Sequence, residues 1–153
     1  MASVVYNKFK QSSADGVIDL GDDDIYAALV MLNTTCDTEN DGMENVDDFT
    51  TLDEMDGANY ARKPLGGTVV NLDDANDRAE FDADNVTWSA LGAGTRTVQG
   101  VLLYVDADDD GAIGGADDAA NKVIAFIEFP SAVTADGSDL TVAWNAEGIL
   151  QLT

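Results

Sequence analysis

The residues from Asp106 to Asp117 have the types and the spacing to hold a cation. They read Asp106-Ala107-Asp108-Asp109-Asp110-Gly111-Ala112-Ile113-Gly114-Gly115-Ala116-Asp117 and follow the calcium-loop template D-x-D-x-D-G. In that template, carboxylates at alternate positions, here Asp106, Asp108 and Asp110, point at one centre. Gly111 permits the sharp turn. The carbonyl of Ala112 is the expected fourth oxygen donor, and Ile113 is the apolar residue that anchors the loop to the fold. Asp117 holds the twelfth place, where a bidentate Glu is usual. Asp is shorter, so Asp117, or Asp118 beside it, grips an ion less well. Hard oxygen donors select Ca²⁺ over a transition metal. The flanks Val101–Val105 and Val123–Ile127 read as strands, which puts the loop at a hairpin tip and not between two helices. A sensor needs helices that open, so a structural clip is expected, with a Kd on the order of 10⁻⁴–10⁻³ M as in extracellular modules. The competing reading is a solvated acidic tip with no ion.

A second stretch echoes the first. Asp37-Thr38-Glu39-Asn40-Asp41-Gly42 is D-x-E-x-D-G, and Asp48 falls at its twelfth place. Asp37, Glu39, Asp41 and Asp48 are a weaker metal candidate, because Glu44 stands where the apolar anchor belongs. The alternative is again a solvated loop.

Catalytic chemistry finds little support. The chain has no His, so an imidazole base and any His-ligated metal are excluded. Cys36 has acidic neighbours, Asp37 and Glu39, which raise a thiol pKa and oppose activation. Carboxylate pairs for glycoside hydrolysis could hide among so many acids, yet no pair stands out. Gly92-Ala93-Gly94 lacks the lysine of a phosphate-binding loop and reads as a turn before a strand. Trp88 and Trp144 could stack on a sugar, but Trp144 alternates with polar neighbours and reads as core, with Trp88 in the same pattern. No enzyme is expected.

The elements that must position these residues follow from composition and pattern. The 153 residues carry 30 Asp+Glu against 7 Lys+Arg, a formal net charge of −23. That length suits one domain, 1–153. So few cations argue against binding a nucleic-acid backbone or an anionic membrane. A charge this high is tolerated best when screened, which fits a protein working in brine or seawater. One cysteine, Cys36, excludes an internal disulfide framework. The first ten residues hold no long apolar stretch, so no secretory signal is expected, and no apolar run approaches the roughly 18–20 residues that cross a bilayer. Synthesis in a cytoplasm follows.

Ser3–Gln11 is expected as a helix capped by Ser3, within an N-terminal helix or arm over 1–16. The apolar start Val4, Val5 and Tyr6 could instead be an arm that packs on a partner. Val17–Leu20 reads as a short strand and Ile25–Leu32 as a buried one. Residues 33–59 form a long acidic loop insertion, with a short helix around Val46–Met55, and a loop of that length must fold on itself or pack on a neighbour. Thr68–Leu72, Arg78–Asp82, Val86–Trp88, Val98–Val105, Asn121–Phe129 and Leu140–Asn145 follow as strands, with Ile149–Leu152 closing the chain. Short strands punctuated by Gly and Asp turns predict a mainly β fold, an antiparallel β-sandwich with a short N-terminal helix and a long acidic loop.

Three segments carry a resemblance: Ser3-Val4-Val5-Tyr6-Asn7-Lys8-Phe9-Lys10 with Ile18-Asp19-Leu20, the stretch Asn76–Trp88, and Leu140–Leu150. Together they resemble a family of small virion structural proteins of tailed bacteriophages, many of them marine. The resemblance is weakest over 33–59. It implies a particle component located in the virion, made in the host cytoplasm, whose partners are the major capsid protein or other virion proteins. Decoration or cementing of the capsid exterior is the leading role, and a homotrimer at capsid three-fold sites fits it. A glycan- or host-surface-binding module and a tail or head–tail connection component are the alternatives. In those relatives the hairpin loop is not acidic in this way, so the calcium loop rests on this sequence alone, and the family supplies no catalytic residue.

Overall fold

The computed structural model describes residues 3–152. Along the chain run β1 (Val4–Val5), α1 (Asn7–Ala14), β2 (Ile25–Met31), a single 3-10 turn at Val46–Asp48, β3 (Lys63–Pro64), β4 (Val69–Asp73), β5 (Arg78–Asp82), β6 (Val86–Trp88), β7 (Val98–Val105), α2 (Gly115–Ala120), β8 (Lys122–Val133), β9 (Leu140–Val142) and β10 (Leu150–Leu152). Every strand pair is antiparallel. The strands form a five-stranded sheet in the order β1-β8-β7-β2-β3, a three-stranded sheet β10-β5-β4 and a two-stranded sheet β6-β9. The mainly β, antiparallel architecture is the one the turn-punctuated strand pattern predicts.

The continuous apolar runs of β2 and β7 explain the centre of the large sheet. No residue of β2 is exposed, nor is any of β7, because both faces of these strands are covered. Phe9 of α1, Cys36, Val46, Phe49 and Met55 of the acidic segment, and Phe81, Trp88 and Leu150 of the smaller sheets are buried in the same cluster. Each large buried side chain contributes about 1.5–3 kcal/mol, and that apolar layer makes so acidic a chain foldable. β7 and β8 pair from Val98↔Val133 to Val105↔Lys122. Residues 106–121 are thereby held between two strand ends anchored in the core.

Three local expectations are corrected. Ser3–Gln11 is not one helix. Val4 and Val5 pair with Phe126 and Ala125 as an edge strand, and the helix begins only at Asn7. Ser3 does not cap it; its Oγ accepts from the Glu128 amide at 3.1 Å. The two β-branched valines favour the ladder, and the Tyr6 amide continues it to the Ile124 carbonyl at 3.2 Å. The candidate partner-binding arm is therefore docked on its own chain. Val4 and Val5 pack on the core, and Tyr6 is wholly buried, its hydroxyl donating to the Cys36 carbonyl at 2.8 Å. Met1 and Ala2, the first residues of the 1–16 arm, lie outside the described residues, as does Thr153.

Val17–Leu20 is not a strand. Its alternation is real, since Ile18 and Leu20 are buried while Val17 is exposed. The backbone is bound locally instead: the Val17 amide reaches the Ser12 carbonyl at 2.8 Å, and the Asp23 amide reaches that of Asp19 at 2.9 Å. The helix expected around Val46–Met55 shrinks to the one turn Val46–Asp48. Beyond it the acidic segment is extended along the edge of β2. The Met31 amide donates to Asp53 at 2.7 Å, the Met55 amide donates to Leu29 at 2.9 Å, and Val30 bridges Glu54. The insertion thus packs as an added edge and not as a free loop.

Candidate metal centre

The site begins where β7 ends. Tyr104 and Asp106 are two apart and so face the same side of the strand, and Asp106 is only 3% exposed. One of its carboxylate oxygens, Oδ2, accepts the Gly111 amide at 2.7 Å. The other, Oδ1, is buried without a hydrogen-bond partner. A buried carboxylate oxygen left unmatched costs free energy on the scale of about 1–3 kcal/mol or more, and it calls for a counter-ion or water. Asp108 and Asp110 supply the surroundings: each of the three residues offers a carboxylate oxygen, all within 4.8 Å of one another.

The loop is wound to bring them together. Gly111 has φ +66, and a Cβ there would stand 2.9 Å from the Tyr26 ring, so glycine is required twice over. Asp109 is also left-handed, φ 56, and its Oδ1 accepts the Tyr26 hydroxyl at 2.9 Å. That bond turns Asp109 away from the cluster and onto β2. Asp110 Oδ1 accepts the Ala112 amide at 2.7 Å. Partial desolvation, with the facing carboxylates of Asp110, Asp117 and Asp106, holds the Asp108 carboxyl above its ordinary value. The cluster repels itself until positive charge arrives. Three hard carboxylates at this separation can hold a divalent cation, and their all-oxygen character suits Ca²⁺, Mg²⁺ or Mn²⁺.

The second half of the loop departs from the template. It runs into α2, a helix the sequence pattern did not suggest, and Asp117 sits on its first turn. Asp117 is not gathered with the three clustered aspartates. The Ala112 carbonyl accepts from Arg62 Nη1 at 3.0 Å. The same Nη1 reaches Asp118 Oδ1 at 2.6 Å, and Arg62 Nε and Nη2 hold Glu54 at 2.8 Å each. The Arg62 guanidinium also lies 5.1 Å from the centroid of the Tyr104 ring. Sequence reasoning missed this residue. Arg62 is 4% exposed, and it ties the acidic segment, β7 and α2 into one network. Asn121 closes the base: its Oδ1 accepts the Ala107 amide at 2.9 Å, and its carbonyl accepts Val46 N at 3.0 Å. Two further buried polar atoms without partners, Tyr104 Oη and Asn121 Nδ2, belong to residues flanking the same strand ends.

The second candidate loop does not converge. Glu39 is consumed by threonines: Oε2 accepts Thr35 Oγ1 at 2.7 Å and the Thr50 amide at 2.9 Å, while Oε1 accepts Thr50 Oγ1 at 2.6 Å. Asp48 caps the turn, accepting the Glu44 and Asn45 amides at 2.9 and 2.8 Å. Asp37 accepts from Gln99 at 3.3 Å. Among the described residues Asp37, Glu39, Asp41 and Asp48 form no ligand cluster; Glu39 and Asp48 fasten turns instead. The bonds from Thr50 and Thr35 hold the Glu39 carboxyl below its ordinary value of 4.5. Its folded value lies below its unfolded one, so its stabilisation is present at neutral pH and is lost as pH falls through the folded value. Glu39→Gln is therefore expected to lower Tm at pH 7 and to flatten the fall of Tm between about pH 5 and 3, measured by thermal melts across that range.

The acidic neighbours of Cys36 act on it as expected, and burial acts more strongly. Cys36 is wholly buried under Tyr6, and burial pushes its thiol up to about 12, with Asp37 and Glu39 adding to the shift against hydrogen bonds from Thr34 and Tyr6. The native thiol is expected to resist an aromatic disulfide reagent at pH 8 and to react fully once the chain is denatured; rapid labelling of the folded protein would contradict this. Trp88 is fully buried, its Nε1 donating to Ala61 at 2.7 Å. Trp144 is partly buried with its Nε1 on the Asp84 carbonyl at 2.9 Å. Trp144 also lines a groove of about 570 Å³ with Phe129, Pro130, Leu140 and Asn145.

No helix among the described residues is long and apolar enough to cross a membrane. No protein-family model, curated protein or solved structure matches the chain.

Proposed function

We propose that the chain is a non-enzymatic structural protein of a tailed-phage virion, clipped by Ca²⁺ at the β7–β8 connection, and that it decorates or cements the capsid exterior. The observation that carries this reading is the nature of the site. Its concentrated chemical groups are carboxylates around a buried, half-satisfied Asp106 at a strand connection, a donor set suited to a cation that ties the connection together. The resemblance to small virion proteins and the charge of −23 support a particle surface in salty water.

A surface for assembly is also at hand. In the three-stranded sheet, Val70 and Leu150 oppose Phe81, and Leu72 and Leu152 oppose Ala79, so these apolar residues share one face. Phe81 is buried at its inner end, while Leu72 is 76% exposed at its outer end. A capsid protein with basic groups around its contact is the proposed occupant, because the β4–β5 turn beside Leu72 carries Asp74 and Asp77, and Arg78, the cation at this strand end, is already paired with Asp73, Glu80 and Glu147, so a second copy offers little positive charge to meet them. Leu72→Asp is expected to leave Tm unchanged and to strip the protein from particles. Electron microscopy of those particles tests the role itself: density at regular capsid positions supports it, and density confined to the tail overturns it. A second reading, a glycan-binding module, draws on the groove beside Trp144 and predicts hits on a sugar array.

A further inference from the structure

Resting on the calcium reading of Asp106, Asp108 and Asp110, we infer that Arg62 sets the affinity of that site by holding the donors that would complete it. A loop of this template places its seventh-position carbonyl and a carboxylate at its twelfth position on the ion. Here the seventh-position carbonyl is that of Ala112, Asp118 lies one residue past the twelfth place, and one nitrogen, Arg62 Nη1, holds both, at 3.0 and 2.6 Å. The guanidinium cannot drift away. Glu54 grips its other edge through Nε and Nη2, the Tyr104 ring lies 5.1 Å from its centre, and its side chain has no solvent exposure. Arginine stays charged in proteins and presents a rigid fork, so this is a permanent internal cation lodged in the second half of the loop.

Two consequences follow for an incoming ion. It is left with the carboxylates of Asp106, Asp108 and Asp110, and water must fill the rest of a coordination shell that takes 6–8 oxygens for Ca²⁺. Asp118, which could lend it a fourth carboxylate, is already neutralised by the guanidinium at 2.6 Å. Arg62 therefore keeps the second half of the loop folded without metal and keeps the metal weakly bound. The acidic segment is coupled to the site through the same residue, since Glu54 accepts both Nε and Nη2 of Arg62.

The test compares wild type with the double variant Arg62→Met, Glu54→Gln, which removes the cation and one of its two counter-charges together. Replacing buried ionic groups by apolar or neutral ones of similar volume is often tolerated. Affinity is read by calorimetric titration with CaCl₂ and by Tb³⁺ luminescence excited through Tyr26 and Tyr104. The double variant is expected to bind Ca²⁺ at least tenfold more tightly, because Asp118 and the Ala112 carbonyl become free. Adding Asp118→Asn to it should erase the gain. Asp118→Asn alone, in the wild-type background, should change affinity less than twofold, because Asp118 is not a ligand there. Unchanged or weaker binding by the double variant overturns the inference, and so does a tenfold loss in Asp118→Asn alone if the double variant does not fold. Should wild type bind neither ion while the double variant binds, the calcium reading of the native protein fails and the role of Arg62 stands; if neither protein binds, both fail.

Discussion

Calcium at 10 mM is expected to raise the Tm of the protein by several degrees, and Asp106→Asn is expected to abolish the rise. The size follows from mass action. An ion that binds the folded chain at a concentration 100-fold above its Kd adds about 2.7 kcal/mol. For a domain of this size each kcal/mol moves Tm by about 2–4 °C, so a Kd near 10⁻⁴ M gives a rise of about 5–10 °C. The variant separates site from fold because Asp106 is the buried member of the cluster, with one oxygen satisfied by Gly111 and one by nothing. The asparagine oxygen can still accept the Gly111 amide, so the metal-free variant should melt close to the metal-free wild type. Only the response to calcium should vanish. Asp109→Asn serves as a control, because Asp109 is turned onto Tyr26 and outside the cluster; its calcium response should survive.

Arg62→Ala is expected to lose about 3–5 kcal/mol, the range for removing one partner of a buried ion pair, as read by urea unfolding in the absence of divalent ions. Two carboxylates would be left behind. Glu54 and Asp118 keep only 10% and 12% of their side-chain surface exposed, and neither has another cation within ion-pair reach among the described residues. The Ala112 carbonyl loses its donor as well. Calcium should recover part of this loss, because Asp118 and Ala112 then become available to the ion. A loss below 1 kcal/mol would mean that the network is solvated and contributes little.

Much of the fold was legible because its signals are local. The apolar run Ile25–Leu32 fits helix or strand by periodicity and reads as a strand from the turns and strands beside it, and it forms one over Ile25–Met31; the alternation over Leu140–Asn145 forms one over Leu140–Val142. Failures came where two local rules compete or where partners are remote. Val17–Leu20 has the alternation of a strand, yet Ser12 and Asp19 captured its backbone first. Val4 and Val5 fit a helical spacing equally well, and only the free edge of β8, more than a hundred residues away, made them a strand. At the site, Asp106, Asp108 and Asp110 were readable because the turn at Gly111 is built from neighbouring residues. Ala112 and Asp117 were assigned by template, and Arg62, about fifty residues upstream, took over that half of the loop. The faint signal was its scarcity: with 7 Lys+Arg against 30 Asp+Glu, each arginine has carboxylates to answer.

The most direct measurement of the central claim is an anomalous difference map from crystals of the protein grown with Tb³⁺ in place of Ca²⁺. The calcium clip predicts one strong peak at the β7–β8 connection, about 2.3–2.6 Å from carboxylate oxygens of Asp106, Asp108 and Asp110, with Arg62 still on Ala112 and Asp118. No peak at that position, or the strongest peak elsewhere on the acidic surface, would contradict it.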